Sequence, residues 1–285
     1  MHTPLWKASV GYSRYVASLD PGLLDRQSET PSEFPYRAIG RPRTEEVRRG
    51  TGIEIRWPMT EHGRIRRVLS RSGARRRYAV PCFRGADRSV HAEAAEEAMA
   101  AIILDACFGT DFQEQPAELT FDWRSRSHRH YPDFLVVAGE LREFWEIKND
   151  KEAADIRFRR RAERLSELLE PLGYAYRLVA GSVLSRGAYY RNAILLRRFR
   201  SALQTLHPRY LRSIPEIPPR KVIVASELLR NIPSGQSDGV LLSLLFEGKV
   251  SADLSKPVTA YTNIHPPLSS QGRMPWVWEL FGKSN

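Results

Sequence analysis

The chain contains very little cysteine: Cys82 and Cys107 are the only two among its 285 residues. Two cysteines are too few for the disulfide framework of a small secreted domain, and their separation does not match the paired spacing of zinc ligands. We therefore expect both side chains to be ordinary reduced thiols.

Long hydrophobic runs are also missing. No apolar stretch approaches the ~20 residues that cross a bilayer, and the N-terminus lacks the continuous apolar core of a signal peptide. These absences predict a soluble, intracellular protein with no membrane partner. Hydrophobic residues still make up 42% of the chain, which is typical of a packed globular protein.

Acidic residues are outnumbered by basic ones, 33 to 44, so the formal net charge is +11. Arginine supplies most of the positive charge, and its planar guanidinium group fits phosphate oxygens and base edges better than lysine does. The composition therefore favours a polyanionic partner. A basic protein that is merely soluble is the alternative.

The order of hydrophobic patterns predicts an α/β fold in which a mixed sheet is flanked by helices. A first helix is expected over Val90–Phe108, before three strands, a second helix rich in arginine, and a fourth strand. The predicted strands are Gln115–Arg124, Tyr131–Val137, Leu141–Lys148 and Tyr174–Ala180, and the second helix is Ala153–Leu172.

The length of the chain predicts two folded units. Residues 1–45 mix proline, serine, glycine and charge without periodicity, so we expect a flexible N-terminal arm there. The α/β core is expected over residues 46–190. Residues 191–285 contain two short helical patterns followed by β-prone pieces around Pro257, which indicate a small winged-helix-like module.

The most informative stretch is a predicted hairpin with Gly139 and Glu140 as its two-residue loop. Glycine at the first loop position suits a type II′ turn. Counting outward from the loop places Asp133 directly opposite Glu146. Lys148 lies two residues after Glu146, so the pleat puts it on the same face.

Two opposed carboxylates on one strand face repel each other and are costly to bury unless a cation neutralises them. Mg²⁺ is the natural cofactor, with Mn²⁺ as an alternative, because these ions accept oxygen ligands and retain waters. The expected ligands are Asp133, Glu146 and the carbonyl of Ile147, and Lys148 would assist hydrolysis of a phosphodiester. The alternative is an exposed hairpin end with an ordinary Glu-x-Lys pair.

A further acid is expected on the helix that precedes these strands. Glu93, Glu96 and Glu97 are the candidates. Helical spacing places Glu96 beside the apolar stripe that contains Met99 and Ile103, whereas Glu97 points away from it. We therefore predict Glu96 as the third catalytic acid and metal ligand, against the alternative of a solvent-facing acid near a helix N-terminus.

Two arginine clusters are predicted to contact DNA phosphates. The first contains Arg75, Arg76 and Arg77, and the second follows one side of the predicted helix Ala153–Leu172. The residues of the second cluster are Arg157, Arg160, Arg161 and Arg164. The alternatives are a solvated basic face for the first cluster and a surface helix with salt bridges to Glu163 and Glu167 for the second.

The stretch from Ser89 to Lys148 resembles the N-terminal catalytic domain of the TnsA family, the endonuclease subunits of heteromeric transposases within the PD-(D/E)xK nuclease superfamily. The matching features are the acidic helix, Gln115-Pro116, His130-Tyr-Pro-Asp-Phe and Trp145-Glu-Ile-Lys. Leu241–Val250 and the β-segment containing Pro257 are similar to the small C-terminal module of such proteins. Family members usually show Ser-x-Leu-Glu at the start of the helix, whereas this chain has Ser89-Val-His-Ala-Glu-Ala-Ala-Glu.

The resemblance implies a restriction-endonuclease-like fold and Mg²⁺-dependent cutting of the non-transferred strand at the 5′ ends of a transposon. It also implies double-stranded DNA, a separate DDE-type transposase and an AAA+ ATPase regulator as partners, in the bacterial cytoplasm at the nucleoid. A restriction or repair nuclease with the same core is an alternative, and so is a catalytically idle DNA-binding subunit.

Overall fold

The computed structural model describes residues 47–57, 78–84, 88–267 and 274–282. The predicted arm, residues 1–45, and the predicted DNA contacts Arg75, Arg76 and Arg77 lie outside these ranges. The described residues divide into two compact units. We call residues 47–57, 78–84, 88–104 and 110–184 the sheet unit, and residues 105–109, 185–267 and 274–282 the helical unit.

The sheet unit contains ten strands among its described residues, in one antiparallel sheet, one mixed sheet and a two-stranded ribbon. The antiparallel sheet has the order β1-β2-β6-β7, and the mixed sheet has the order β10-β9-β8-β5, in which only β10 and β9 are parallel. The ribbon pairs β3 with β4. The strands are β1 (Val47–Gly50), β2 (Ile53–Arg56), β3 (Tyr78–Cys82), β4 (Arg88–Ala92), β5 (Asp111–Glu114), β6 (Glu118–Trp123), β7 (Arg126–His130), β8 (Phe134–Ala138), β9 (Leu141–Lys148) and β10 (Ala175–Ala180).

Helices flank these sheets, so the coarse prediction of an α/β fold with a mixed sheet is confirmed. They are α1 (Ala95–Ala106), α2 (Asp150–Ala154), α3 (Ile156–Leu169), a 3₁₀ turn (Glu170–Leu172) and α4 (Gly181–Leu184). One face of α3 buries Leu165, Leu168 and Leu169. These leucines join a core with apolar residues from both larger sheets, including Phe121 and Phe144.

Two helix predictions need correction. The first helix begins at Ala95 rather than Val90, because residues 88–92 pair with β3 as strand β4. The helix predicted over Ala153–Leu172 is divided at Asp155, which has extended backbone angles and accepts a hydrogen bond from the Arg157 N–H as the N-cap of α3. Capping by an aspartate side chain satisfies a donor at the new helix start and so favours the division.

The helical unit is built around α5 (Tyr189–Arg198) and α8 (Ser234–Phe246). A buried ion pair joins Arg197 to the fully buried Asp105, with 2.7 Å between Nε and Oδ2. The remaining elements are α6 (Pro208–Leu211), β11 (Ile223–Val224), α7 (Ala225–Leu228), β12 (Asn263–Ile264) and a 3₁₀ helix (Trp276–Phe281), and β11 pairs with β12. Among the described residues, no helix is long and apolar enough to cross a membrane.

Candidate active site

The hairpin formed by β8 and β9 has the register that the sequence predicts. Ala138 pairs with Leu141 across the loop, and Gly139 has a φ of 57°. The ladder of paired residues ends at Phe134 and Trp145, and the N–H of the preceding Asp133 donates to the Trp145 carbonyl at 2.9 Å. Asp133 therefore lies at the end of the hairpin, close enough to Glu146 for the charge of Glu146 to act on it.

The carboxylate of Asp133 is buried and fixed across the hairpin. Its Oδ2 accepts a hydrogen bond from the Ile147 N–H at 2.7 Å. Burial raises the pKa of Asp133 well above its ordinary value, and the negative charges of Glu146 and Glu97 raise it further. Such a carboxyl group gains from a nearby cation more than an exposed one does, because water does not screen it.

Glu146 is buried but surrounded by positive groups. Its Oε1 lies 2.7 Å from Lys148 Nζ and 3.2 Å from a terminal nitrogen of Arg161. Burial acts to raise the pKa of Glu146, but the charges and hydrogen bonds of His130 and Lys148 outweigh it and lower the pKa to about 2. Glu146 is therefore ionised at neutral pH, as a metal ligand must be.

His130 and Tyr176 form a second buried pair next to Glu146, and sequence reasoning missed their contact. His130 Nε2 is 2.7 Å from the hydroxyl of Tyr176 and 3.0 Å from Glu146 Oε2. Although the ring is close to this oxygen, Oε2 is buried and accepts no aligned hydrogen bond from any described residue. His130 was visible in the sequence as part of the His-Tyr-Pro-Asp motif, but Tyr176 is 46 residues away and no local pattern connects the two.

The helical acid nearest this centre is Glu97 rather than Glu96. Glu97 accepts a hydrogen bond from the Glu93 N–H at 2.8 Å, and its charge interacts with those of Lys148 and Glu146. Burial raises its pKa to about 7, with a further contribution from the negative charge of Glu93. Glu96 lies close to Gly181, so close that a Cβ added there would be 3.0 Å from its Cγ.

The predicted helix start explains why the orientation of Glu97 was judged wrongly. A helix from Val90 would place Glu97 in its interior, where the periodic stripe decides which way each side chain points. In a helix that starts at Ala95, Glu97 lies in the first turn. A glutamate in that turn can reach back to an unpaired backbone N–H, as in a capping box, and Glu97 does so at Glu93.

These side chains line a cavity of about 380 Å³. Gln115 also contributes to its wall, with an unusual φ of 46°, and its N–H donates to the Asp133 carbonyl at 2.9 Å. Its buried Oε1 has no hydrogen-bond partner among the described residues. The cavity is lined by the acidic residues Glu93, Glu96, Glu97, Asp133, Glu146 and Glu152, and by the basic residues Arg129, Lys148 and Arg161.

The donor atoms of this cavity fit a divalent cation, although no three His, Cys, Asp or Glu side chains within the described ranges are gathered around one point. The Asp133 carboxylate accepts a hydrogen bond from the Ile147 N–H, and the Glu146 carboxylate lies beside the side chains of Lys148 and Arg161. One or two carboxylates, completed by a backbone carbonyl, waters and a phosphate oxygen, are a common Mg²⁺ ligand set. The raised pKa of Asp133, caused by its burial and by the negative charges of Glu146 and Glu97, is the feature that a bound cation would relieve.

The arginines of α3 take different partners, and only part of the predicted row is open to DNA. Arg157 pairs with Asp155 at 2.6 Å, Arg164 pairs with Glu167 at 3.2 Å, and Arg161 pairs with Glu146. Arg160 is exposed. Arg164 therefore matches the salt-bridged alternative. Arg160, and Arg157 despite its ion pair with Asp155, are exposed and remain candidates for phosphate contacts.

We expect the double substitution Arg157→Ala and Arg160→Ala to weaken binding to all duplex sequences alike. Each lost phosphate contact should reduce the slope of log affinity against log salt concentration by ~0.9. Fluorescence anisotropy with a 40-base-pair duplex at several salt concentrations measures this slope. An unchanged slope would show that this side of α3 makes no phosphate contacts and faces solvent.

A scan of the chain against models of protein families finds no match, and a search of curated proteins finds none either. The description of this protein therefore rests on its fold and on its candidate site. It is an α/β protein in which Asp133, Glu146 and Lys148 meet at one end of the two central strands, β8 and β9, of a mixed sheet.

Proposed function

We propose that the chain is a metal-dependent DNA endonuclease with a restriction-endonuclease-like core in the sheet unit. The single observation that carries the proposal is the meeting of three charged side chains at one end of the β8–β9 hairpin. The Asp133 carboxylate accepts a hydrogen bond from the Ile147 N–H at 2.7 Å, and Lys148 Nζ lies 2.7 Å from Glu146. This is the geometry expected of the Pro-Asp and Glu-x-Lys motifs of PD-(D/E)xK nucleases. The net charge of +11 supports a polyanionic substrate.

A purely structural role is a poor explanation of this centre. A buried carboxyl group whose pKa is raised, as that of Asp133 is by burial and by the charge of Glu146, destabilises a metal-free protein at neutral pH, and buried ion pairs contribute little net stability. Groups with strongly shifted pKa values that meet in a cavity are typical of functional sites. Asp133, Glu97 and Glu146 all have shifted pKa values and line the same cavity.

The residues divide the chemistry between them. Asp133, Glu146 and the Ile147 carbonyl would hold Mg²⁺ or Mn²⁺, and we propose Glu97 rather than Glu96 as the helical acid. The bound cation would supply Lewis acidity that lowers the pKa of a coordinated water and shields the phosphate. Lys148 keeps its positive charge, because the neighbouring Glu146 and Asp133 outweigh burial and raise its pKa. Its Nζ can therefore donate to the scissile phosphate as negative charge develops.

The biological role is the finer part of the proposal. Its support is the resemblance of residues 89–148 to the TnsA family, which points to cutting of the non-transferred strand at the 5′ ends of a transposon. A DDE-type transposase and an AAA+ ATPase would then be the partners. The helical unit, with its two-stranded β11–β12 ribbon, would be the winged-helix-like module that contacts them.

The decisive experiment is a cleavage assay on supercoiled plasmid that carries the DNA flanking the gene, with and without the transposase encoded beside it. We expect cutting with Mg²⁺ or Mn²⁺ and binding without cutting in Ca²⁺, because Ca²⁺ coordinates loosely and activates water poorly. EDTA should abolish cutting. Full activity in excess EDTA would contradict a metal-dependent mechanism, and cutting at sites unrelated to the flanking DNA would favour a restriction or repair nuclease.

A further inference from the structure

The hairpin formed by β6 and β7 carries exposed arginines and lies next to the cavity. Arg126 begins β7, Arg129 lines the cavity with its side chain 67% exposed, and His130 ends the strand beside Glu146. Asp133 follows three residues later. The hairpin is therefore continuous, through the backbone, with the candidate active site.

The turn of this hairpin displays arginine in an uncommon way. Arg124 and Ser125 form its two-residue loop with φ angles of 53° and 59°. This is the pattern of a type I′ turn, which usually requires Asn-Gly because side chains disfavour positive φ. The guanidinium of Arg124 lies over the Trp123 ring at 4.7 Å from its centroid, so the side chain is held in place before any partner binds.

The position of β7 at the edge of its sheet does not by itself explain the exposed arginines and the uncommon turn. β7 is an edge strand of its sheet, and charged residues on an edge do prevent pairing with other chains. Any charged residue would serve that purpose, without a strained turn or a stacked arginine. Within the described ranges, neither Arg124 nor Arg126 forms an ion pair, so both charges are available to a partner.

The cavity needs positive charge beside it if it is to accept DNA. Its wall contains more acidic than basic side chains, and these carboxylates repel a phosphate backbone until a cation is bound. Positive charge next to the cavity would offset that repulsion and steer the duplex towards it. Arg129 lines the cavity from the face of β7 opposite to Arg126 and already lies 3.5 Å from Glu118. Arg124 and Arg126 are therefore the arginines of the hairpin that are available to a duplex.

We propose that the β6–β7 hairpin is a DNA-binding element that contacts the phosphate backbone on one side of the cut, through Arg124 and Arg126. The proposal rests on the proposed nuclease function and adds a surface to it. Arg126 precedes Asp133 by seven residues, an extended reach of at most ~23 Å. At ~3.4 Å per base pair along each strand, the contacted phosphates lie within about seven base pairs of the cleaved bond.

The first test is the salt dependence of binding to a 40-base-pair duplex of random sequence in Ca²⁺. The double substitution Arg124→Ala and Arg126→Ala should reduce the log–log slope by ~1.8, which corresponds to two lost phosphate contacts. Arg142→Ala is the matched control, because Arg142 is an exposed arginine of the neighbouring β8–β9 hairpin. A circular dichroism melt establishes that each variant is folded.

The second test maps the contact directly. Both natural cysteines are buried, so Arg126→Cys provides a single exposed thiol for an azidophenacyl photocrosslinker. We expect Arg126→Cys to crosslink to the duplex and Arg142→Cys to leave it unmodified. Mapping of the crosslinked nucleotide on a duplex with a known cut position should place it within about seven base pairs of the cut.

The outcomes separate this proposal from the nuclease function. If the wild-type chain binds and cuts DNA while the hairpin variants keep the full salt slope and give no crosslink, the hairpin proposal is wrong and the function stands. If the wild-type chain binds no duplex, the proposed function fails. Equal binding of wild type and the double variant to duplex DNA, with a loss of binding only to an RNA hairpin or to anionic vesicles, would also overturn the proposal.

Discussion

Substitution of Asp133 by Asn or Lys148 by Met is expected to lower DNA cleavage by about 10²- to 10⁴-fold, the range that is typical when one acid–base or electrostatic group is removed. Asn retains an oxygen that can accept the Ile147 N–H bond but loses the charge. Met retains most of the length of Lys148 and removes the positive group. Single-turnover cleavage rates with Mg²⁺ measure the effect, and duplex binding in Ca²⁺ should change little.

Alanine at these positions should also abolish cleavage, but Asn and Met are the sharper substitutions. Asp133→Ala would leave the buried Ile147 N–H without an acceptor, at a cost of about 1–3 kcal/mol. Glu146→Ala should likewise inactivate the protein, while it removes the partner of Lys148 and Arg161. A loss of activity in these variants therefore needs a thermal melt beside it.

Glu143 offers a matched control on the same strand. It is buried, its Oε1 lies 2.7 Å from Arg177, and it accepts a hydrogen bond from the Trp145 ring at 2.8 Å. It differs from Glu146 by an odd number of residues, so it lies on the opposite face of β9. Glu143→Gln should lower stability and leave the cleavage rate of the folded protein unchanged. Wild-type cleavage by folded Asp133→Asn would remove Asp133 from the site.

The parts of the structure that the sequence predicts well depend on local chemistry. A two-residue loop with Gly139 determines the register of the hairpin from Ala138 and Leu141 to Phe134 and Trp145, and the two-residue period of a strand then puts Glu146 and Lys148 on one face. Similar reasoning found the second helix and its end at Gly173, which has a φ of 80°. None of these predictions required knowledge of distant contacts.

The parts that the sequence did not predict depend on pairing between distant segments. The helix predicted from Val90 includes residues 90–92 of β4, and only their pairing with β3 identifies them as strand. Strand β7 was missed because arginine, serine and histidine are weak strand formers. It is held by its ladder with β6. The contacts of Tyr176 and Arg161 with the centre likewise join residues that no spacing relates.

The second large effect is expected from substitution of Glu97, which we propose in place of Glu96 as the helical acid. It concerns stability as well as activity. The pKa of Glu97 is raised from 4.5 to about 7 in the folded protein. Between these pH values the folded state binds a proton that the unfolded state has released. The contribution of Glu97 to the stability of the metal-free protein is therefore largest below pH 4.5 and is lost as the pH rises through 7, a difference of up to ~3 kcal/mol.

Glu97→Gln removes that ionisation while it keeps an oxygen for the Glu93 N–H bond. We expect the metal-free variant to be more stable than the wild type at pH 8, by up to ~3 kcal/mol, and equally stable near pH 4. Urea unfolding in EDTA at the two pH values measures the difference. Asp133, whose pKa is also raised, should leave some loss of stability with pH in the variant.

If Glu97 is the helical acid of the site, the same substitution should reduce Mg²⁺-dependent cleavage by about 100-fold or more. It should also reduce the stabilisation that Mg²⁺ gives at pH 8, because the cation has less negative charge to neutralise. Glu96→Gln is the control on the adjacent residue, which also lines the cavity. Loss of cleavage in Glu96→Gln, with normal cleavage by Glu97→Gln, would restore Glu96 as the third acid. It would also show that the interaction of Glu97 with Lys148 and Glu146 is incidental to catalysis.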